Sequence, residues 1–158
     1  MNNHLHEVEL GSLKAHASMN YWDNLIDFAY RQVDQNIGDR ARAYKLKLAF
    51  EELISNIIRS SSEHSSSRAA QTTLKVTALQ RESPGHRFFV IRTEDDGVKF
   101  NPKFGERASV DTQQHVQDRQ IGGLGLFLIQ QSVDEVSYEW MNGKNTYELS
   151  MAILPNLE

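Results

Sequence analysis

The chain has 158 residues, of which 39% are apolar and 24% charged, so we expect one domain (1–158) that buries roughly two-thirds of its unfolded surface. Its net charge of −4 argues against direct nucleic-acid binding, which needs a basic stripe, and the absence of cysteine excludes disulfides, thiolate catalysis and thiolate metal sites. No apolar run approaches the roughly 20 residues of a membrane span and the N-terminus has no basic-then-apolar signal, so we expect a cytoplasmic protein without membrane contact.

The first part of the chain predicts a strand and then an amphipathic helix. The strand is indicated by four apolar residues, Leu5, Val8, Leu10 and Leu13. The helix is predicted over 21–33, where apolar residues recur at helical spacing: Trp22, Leu25, Ile26, Phe28 and Ala29.

A second helix is predicted over 43–60, where five apolar residues form one stripe: Leu46, Phe50, Leu53, Ile54 and Ile57. Glu52 and Asn56 are four residues apart and therefore share a face of this helix. At about 100° per residue, both lie on the shoulder of the stripe and not on its fully solvated side. They could line a site at the edge of the core, or they could be the polar flank of an ordinary amphipathic helix.

Two strands are predicted next, over 71–81 and 87–93, and the second stops at an acidic turn that contains Asp95 and Gly97. A carboxylate at this point can accept a hydrogen bond from an exocyclic amine such as that of adenine, and a glycine lets the ring approach the backbone. An acidic residue with glycine after a strand is also a common turn signal, so both interpretations stay open.

The segment 98–121 shows no sustained periodicity. A connection longer than about 12–15 residues inside a compact domain is usually functional or disordered, and a lid over bound nucleotide suits it. Arg119 is the candidate to meet a terminal phosphate, and the alternative is an ordinary solvated arginine.

Glycines open a third predicted helix. Gly122, Gly123 and Gly125 precede a group of apolar residues: Leu126, Phe127, Leu128, Ile129 and Val133. Glycines at a helix start leave backbone N–H groups free to cradle phosphate, although close packing or a hinge would also explain them. The spacing matches neither the P-loop nor the dinucleotide fingerprint.

Strands over 136–141 and 146–154 complete the pattern, with Pro84-Gly85 and Asn142-Gly143 as turns. The elements together predict an α+β fold, an α/β sandwich in which helices cover one face of a mixed, largely antiparallel sheet.

The three motifs occur in a fixed order, ELISN, then DDGVKFNP, then GGLGLFLI followed by DEVSY. In this order they resemble the anti-sigma-factor serine kinases of the RsbW and SpoIIAB type, a branch of the GHKL ATPases, from about Glu7 to about Leu154. The resemblance implies the GHKL (Bergerat) fold, ATP with Mg²⁺ as the bound nucleotide, and an ATP-dependent protein serine kinase.

The resemblance also implies a role for each motif residue. Glu52 would be the general base, and Asn56 would hold the Mg²⁺ that bridges the ATP phosphates. Asp95 would bind the adenine amine with Gly97 beside it, and Thr146 would lie near the adenine. The phosphate-binding end of the lid would comprise Gly122, Gly123, Leu124, Gly125 and Leu126.

One position departs from the family pattern. Where the family motif N-A-x-x-H has histidine, this chain has Ser60. By the resemblance, the change bears on a phosphate contact that the histidine would make, and it does not argue against nucleotide binding itself. The serine-rich run 60–67 is predicted to be a flexible polar connector.

Two functions follow. By the resemblance, the chain is an anti-sigma factor and kinase that phosphorylates a serine of a STAS-type anti-anti-sigma protein, sequesters a sigma factor, and forms a homodimer through its N-terminal strand and first helix. The alternative is a non-catalytic regulator that uses nucleotide only to set its shape and exchange partners. Glu52 and Asn56 favour the kinase, whereas Ser60 leaves the alternative open.

Overall fold

The computed structural model describes residues 5–64, 71–100 and 124–153. In these ranges the strands form one five-stranded antiparallel sheet, and the helices pack on one side of it. The α/β sandwich predicted from the sequence is confirmed.

The strands are β1 (His6–His16), β2 (Thr73–Ser83), β3 (His86–Asp95), β4 (Glu135–Met141) and β5 (Lys144–Ala152), in the spatial order β1-β2-β3-β5-β4. Each pairing in this order is antiparallel, so the parallel component expected of a mixed sheet is not present among the described pairs. Tight hairpins join β2 to β3 and β4 to β5, and a two-residue hairpin connects only antiparallel strands.

The two predicted turns form these hairpins. Gly85 has a φ of 82°, and Asn142 and Gly143 have φ values of 56° and 74°. Positive φ at both central residues is the requirement of a type I′ turn, which asparagine and glycine meet at low cost. This turn sets the register of β4 against β5, which starts with Met141 opposite Lys144.

The helices are α1 (Trp22–Asn36), α2 (Arg40–His64) and α3 (Leu124–Ser132), with a short 3-10 helix (Met19–Tyr21) before α1. Within the described ranges, no helix is both long and apolar enough to cross a membrane.

α2 is longer than predicted at both ends. It begins after Asp39, whose Oδ1 accepts hydrogen bonds from the backbone N–H groups of Ala41 (2.9 Å) and Arg42 (3.1 Å), the usual role of an N-cap. At its other end the residues 60–64 are helical, so the predicted connector is wrong for that stretch; its remainder, 65–67, lies outside the described residues. Serine costs a helix less than about 1 kcal/mol per residue, and a helix already anchored in the core can therefore continue through it.

The core lies between the helices and the inner face of the sheet. The predicted stripe of α2 is buried along its whole length, with no member more than 6% exposed: Leu46, Phe50, Leu53, Ile54 and Ile57. α1 contributes buried Leu25, Ala29 and Val33, and the other predicted apolar residues of α1 pack against this core.

Side chains of β3 alternate between the two faces of the sheet, so Phe89, Ile91, Thr93 and Asp95 share one face. All four are buried, and Phe89 and Ile91 belong to the core beneath the helices. Asp95 therefore ends a buried row on the helix side of the sheet.

The opposite face carries an ion-pair cluster that links four strands. Arg81 contacts Glu7 at 2.7 Å and Glu148 at 2.8 Å, and Arg92 contacts Glu148 at 2.8 Å. Burial opposes ionisation of Glu148, but hydrogen bonds from Arg81 and Arg92 outweigh it and hold the pKa of Glu148 below its usual range.

Candidate functional site

α2 and α3 bring the first and third sequence motifs into contact. Glu52 and Asn56 are half-buried on the shoulder of α2, as predicted. A Cβ atom at Gly125 would lie 2.8 Å from Glu52 Oε2 and 3.4 Å from Asn56 Nδ2. Any side chain at this position would displace the Glu52 carboxylate, so glycine allows the backbone of α3 to approach both groups.

The Asn56 amide has spare hydrogen-bonding capacity at this contact. Its Nδ2 is buried and has no hydrogen-bond partner among the described residues, while its Oδ1 accepts a bond of 3.4 Å from Arg59. A buried polar atom without a partner costs about 1–3 kcal/mol, which a bound ligand would relieve. Turning the amide by half a rotation would present the oxygen at the same point.

Asp95 is only 4% exposed. Its Oδ1 accepts hydrogen bonds from the backbone N–H of Gly97 at 3.1 Å and from Asn145 Nδ2 at 3.0 Å. Both bonds from described residues end on Oδ1, which leaves Oδ2 to accept a bond from a ligand. Burial raises the pKa of Asp95, and the two hydrogen bonds offset that effect only in part.

Gly97 closes the turn against this carboxylate. A Cβ atom there would lie 3.0 Å from Asp95 Oδ1 and 3.4 Å from the side chain of Thr72. The hydrogen bond from Gly97 to Asp95 is also the local pattern of an Asx-turn. The two interpretations of this motif are therefore compatible, because the turn itself orients the acid.

Asp96, which is not among the predicted site residues, anchors the same turn to β2. Its Oδ1 accepts the backbone N–H of Thr73 and its Oδ2 accepts the hydroxyl of Thr73, both at 2.7 Å. The sequence offered little signal for this role, because an acid inside an acidic turn has no pattern of its own.

Asn145, also missed from the sequence, is the β5 residue that contacts Asp95. The register pairs Asp95 with Asn145 and Glu94 with Thr146, so alternation places Thr146 on the opposite face from Asp95. Thr146 is buried, and its hydroxyl lacks a partner in the described part of the chain. Asn145, and not Thr146, is therefore the β5 residue beside Asp95, and the role predicted for Thr146 stays a prediction.

Three predicted site residues, Arg119, Gly122 and Gly123, lie outside the described residues, as does 101–121 of the predicted lid. Their roles stay predictions. The remaining members of the glycine motif lie in α3, which starts at Leu124. Leu126 is 4% exposed and packs in the core, so only its backbone is left for a ligand.

Metal ligands do not cluster in the described ranges, where no three histidine, aspartate or glutamate side chains could together hold an ion. Mg²⁺ that accompanies a nucleotide usually takes one or two protein oxygens, with phosphates and water as its other ligands. A single amide oxygen from Asn56 is compatible with that mode of binding.

Helices on one face of an antiparallel sheet, a carboxylate and an amide on one helix, and a buried aspartate at a strand end define a domain of the GHKL ATPase class. The family model of the histidine kinase-like ATPase domain matches residues 16–152, and the chain belongs to that family. Membership implies nucleotide binding. Comparison with curated proteins gave no match.

Proposed function

We propose that the chain is an ATP-dependent protein serine kinase and anti-sigma factor of the RsbW and SpoIIAB type. It would phosphorylate a serine of a STAS-type anti-anti-sigma protein and sequester a sigma factor in a partner switch. The observation that carries this proposal is the approach of Gly125 to Glu52 and Asn56, which puts the backbone expected at the phosphates against a carboxylate and an amide.

In the proposed reaction, Glu52 accepts the proton of the substrate serine as the serine oxygen attacks the γ-phosphorus of ATP. The bond from that phosphorus to the β–γ bridging oxygen breaks, and ADP leaves with the oxygen. Catalysis of this kind depends on positioning and on stabilising charge. Gly125 supports the positioning, because its close backbone restricts where the Glu52 carboxylate can lie.

At the other end of the nucleotide, Asp95 would accept a hydrogen bond from the adenine amine through Oδ2. Its Oδ1 is already held by Gly97 and Asn145, which fixes the direction of the free oxygen. Gly97 has no side chain, so the ring can approach the backbone there.

Asn56 fits the role of magnesium ligand, since one end of its buried amide lacks a partner in the described structure. When bound with ATP, Mg²⁺ neutralises charge on the transferring phosphoryl group. Asn56 would offer its amide oxygen, and Arg59, which donates to that oxygen at 3.4 Å, would release it. We expect Asn56→Ala to weaken Mg²⁺-dependent ATP binding.

The proposed partner switch takes place in the cytoplasm and uses a homodimer. Support for the dimer comes from β1, an outermost strand in the described sheet order, whose Val8 and Leu10 are 44% and 39% exposed, with Leu5 before it at 63%. Exposed apolar side chains on an outer strand favour contact with another chain. Tyr21 is 37% exposed but lies at the other end of β1, where its ring contacts His16, and Trp22 and Phe28 pack on the core.

A non-catalytic regulator of the same fold is the second candidate. It is favoured by Ser60, which lies within α2 at the position where the resembling family has histidine. Such a protein would bind ATP through Asp95 and Asn56 and exchange partners without phosphoryl transfer.

The decisive experiment incubates the purified protein with labelled ATP and candidate STAS proteins, beside the variants Glu52→Gln and Glu51→Gln. Glu52→Gln should bind ATP normally but transfer phosphate about 10²–10⁴-fold more slowly, because it lacks the base. Glu51 accepts a hydrogen bond from Tyr30, which glutamine can also accept, so this matched charge change should leave transfer intact. Equal transfer by wild type and Glu52→Gln would remove Glu52 as base, and ATP binding without any transfer would favour the regulator.

A further inference from the structure

Asn145 is buried at the start of β5, directly opposite Asp95 in the sheet register. It is 2% exposed, so its amide depends on protein groups for hydrogen bonds. A buried amide with unmet hydrogen-bonding capacity would be costly. The hydrogen-bond partners of the Asn145 side chain therefore indicate its role.

Four groups meet the Asn145 amide. Its Nδ2 donates to Asp95 Oδ1 and to the carbonyl oxygen of Val98, both at 3.0 Å. Its Oδ1 accepts from the backbone N–H of Phe100 at 2.9 Å and from the hydroxyl of Tyr138 at 2.7 Å. An asparagine amide has two hydrogens to donate and two lone pairs, so its capacity is filled.

Two of these partners determine which way the amide faces. The Val98 carbonyl can only accept a hydrogen bond, and the Phe100 N–H can only donate one. Reversing the amide would place its oxygen against the Val98 carbonyl oxygen and its NH₂ group against the Phe100 N–H. Neither contact could then be a hydrogen bond. Asn145 must therefore present its NH₂ group to Asp95.

This orientation constrains the chemistry of Asp95. Its Oδ1 receives hydrogens from Asn145 and from Gly97, so that oxygen acts only as an acceptor. Because both bonds hold Oδ1, the carboxylate is held against rotation, and neither of them uses the other oxygen, Oδ2. An ionised Oδ2 attracts an amine hydrogen and repels a carbonyl oxygen.

We propose that Asn145 is a positioning and specificity-determining residue: it holds Asp95 with Oδ2 towards the base, so that the pocket selects a 6-amino purine over a 6-oxo purine. The inference rests on the proposed nucleotide site and adds a residue that acts on the base through Asp95. Its counterpart in the sequence prediction was Thr146, which lies on the other face of β5.

The test measures binding of ATP and of inosine triphosphate, whose base has an oxo group in place of the amine, by calorimetry. Asn145→Asp keeps the size of the side chain but sets an acceptor against Asp95 and the Val98 carbonyl. We expect ATP affinity to fall by about 5–150-fold and the preference for ATP over inosine triphosphate to shrink. Asn142→Asp makes the same charge change three residues earlier, in the β4–β5 turn, and should alter neither quantity.

A second measurement needs no nucleotide and uses Asn145→Ala, which keeps the site free of a new charge. The Asn145 hydrogen bond lowers the pKa of Asp95, so its loss should raise that pKa in a carboxyl NMR titration. An unchanged Asp95 pKa, or an unchanged ATP preference in the folded variants, would overturn the role of Asn145. Wild-type protein that binds neither nucleotide would instead overturn the proposed function, and the Asp95 titration would show separately whether Asn145 positions the carboxylate.

Discussion

Asp95 and Glu52 are both acids at the edge of the core, but their surroundings suit them to different tasks. Asp95 is nearly removed from water and receives two hydrogen bonds on one oxygen, which fixes its direction. Glu52 is half-buried beside the backbone of Gly125, so its carboxylate stays partly reachable from solvent. A fixed acceptor suits recognition of a base, whereas a reachable carboxylate suits proton transfer.

At the scale of single residues, we predict that Asp95→Asn strongly weakens ATP binding while the fold is retained. The amide would meet the hydrogens of Gly97 and Asn145 with its oxygen and point its NH₂ at the adenine amine. That mismatch corresponds to roughly 1–3 kcal/mol, or about 5–150-fold in affinity. Calorimetry checks the affinity.

Thermal unfolding of the same variant gives its control. The pKa of Asp95 is raised in the folded protein, so the native state holds the proton more tightly and ionised Asp95 opposes folding above that pKa. Removing the charge should leave stability at pH 7 equal or higher. Wild-type ATP affinity in a well-folded Asp95→Asn protein would show that the adenine assignment is wrong.

At the scale of elements, the close contact of α3 with α2 depends on the absence of a side chain at Gly125. The variant Gly125→Ala tests this dependence. The new Cβ would overlap the end of Glu52, which can move aside. Phosphoryl transfer should fall by roughly 10²-fold, the cost of about 1 Å of misplacement. Stability should not fall, since alanine is favoured over glycine inside a helix by about 0.5–1 kcal/mol.

Gly38→Ala is the matched control, because nothing lies within 4 Å of a Cβ atom at that position. Single-turnover transfer and chemical unfolding, measured for both variants, separate the effect on Glu52 from a general glycine effect. Full transfer activity in Gly125→Ala would mean that Glu52 is not the base or that its position is unimportant.

The bounds of the helices and strands show how much of the secondary structure the local sequence pattern predicts. Apolar spacing located α1, α2 and the strands of the described ranges, because that spacing reflects which face is buried. It ended the third strand at Thr93, whereas β3 continues to Asp95. Acidic residues are poor strand formers, and only the register with Leu74 and Asn145 keeps the chain extended there.

At the scale of the whole molecule, the cluster around Glu148 ties four strands together on the face without helices, and it predicts acid sensitivity. Glu148→Gln should lower the free energy of unfolding by roughly 1–3 kcal/mol at pH 7, because Arg81 and Arg92 lose a charged partner. Urea unfolding measures the loss. Glu82→Gln, in the exposed pair with Arg87, should cost far less.

The sign of the pH effect follows from the pKa. Glu148 has a folded pKa below its unfolded value, so its contribution is complete above the unfolded pKa of about 4.3 and disappears as the pH falls through the folded pKa. The difference in the free energy of unfolding between wild type and Glu148→Gln should therefore disappear at acidic pH. If this difference were equally large at acidic and neutral pH, the lower stability of Glu148→Gln would come from changed packing and not from the lost charge.

The sequence by itself determined the amphipathic faces, the hairpin turns and the shared face of Glu52 and Asn56, because each depends on residues within one or two helical turns or one hairpin. Tertiary structure decided that Asn145 and not Thr146 meets Asp95, since a one-residue change of register moves every side chain of a strand to the other face. It also decided that Gly125 lies against Glu52, because the packing of two helices distant in sequence is set by the whole core and not by either motif.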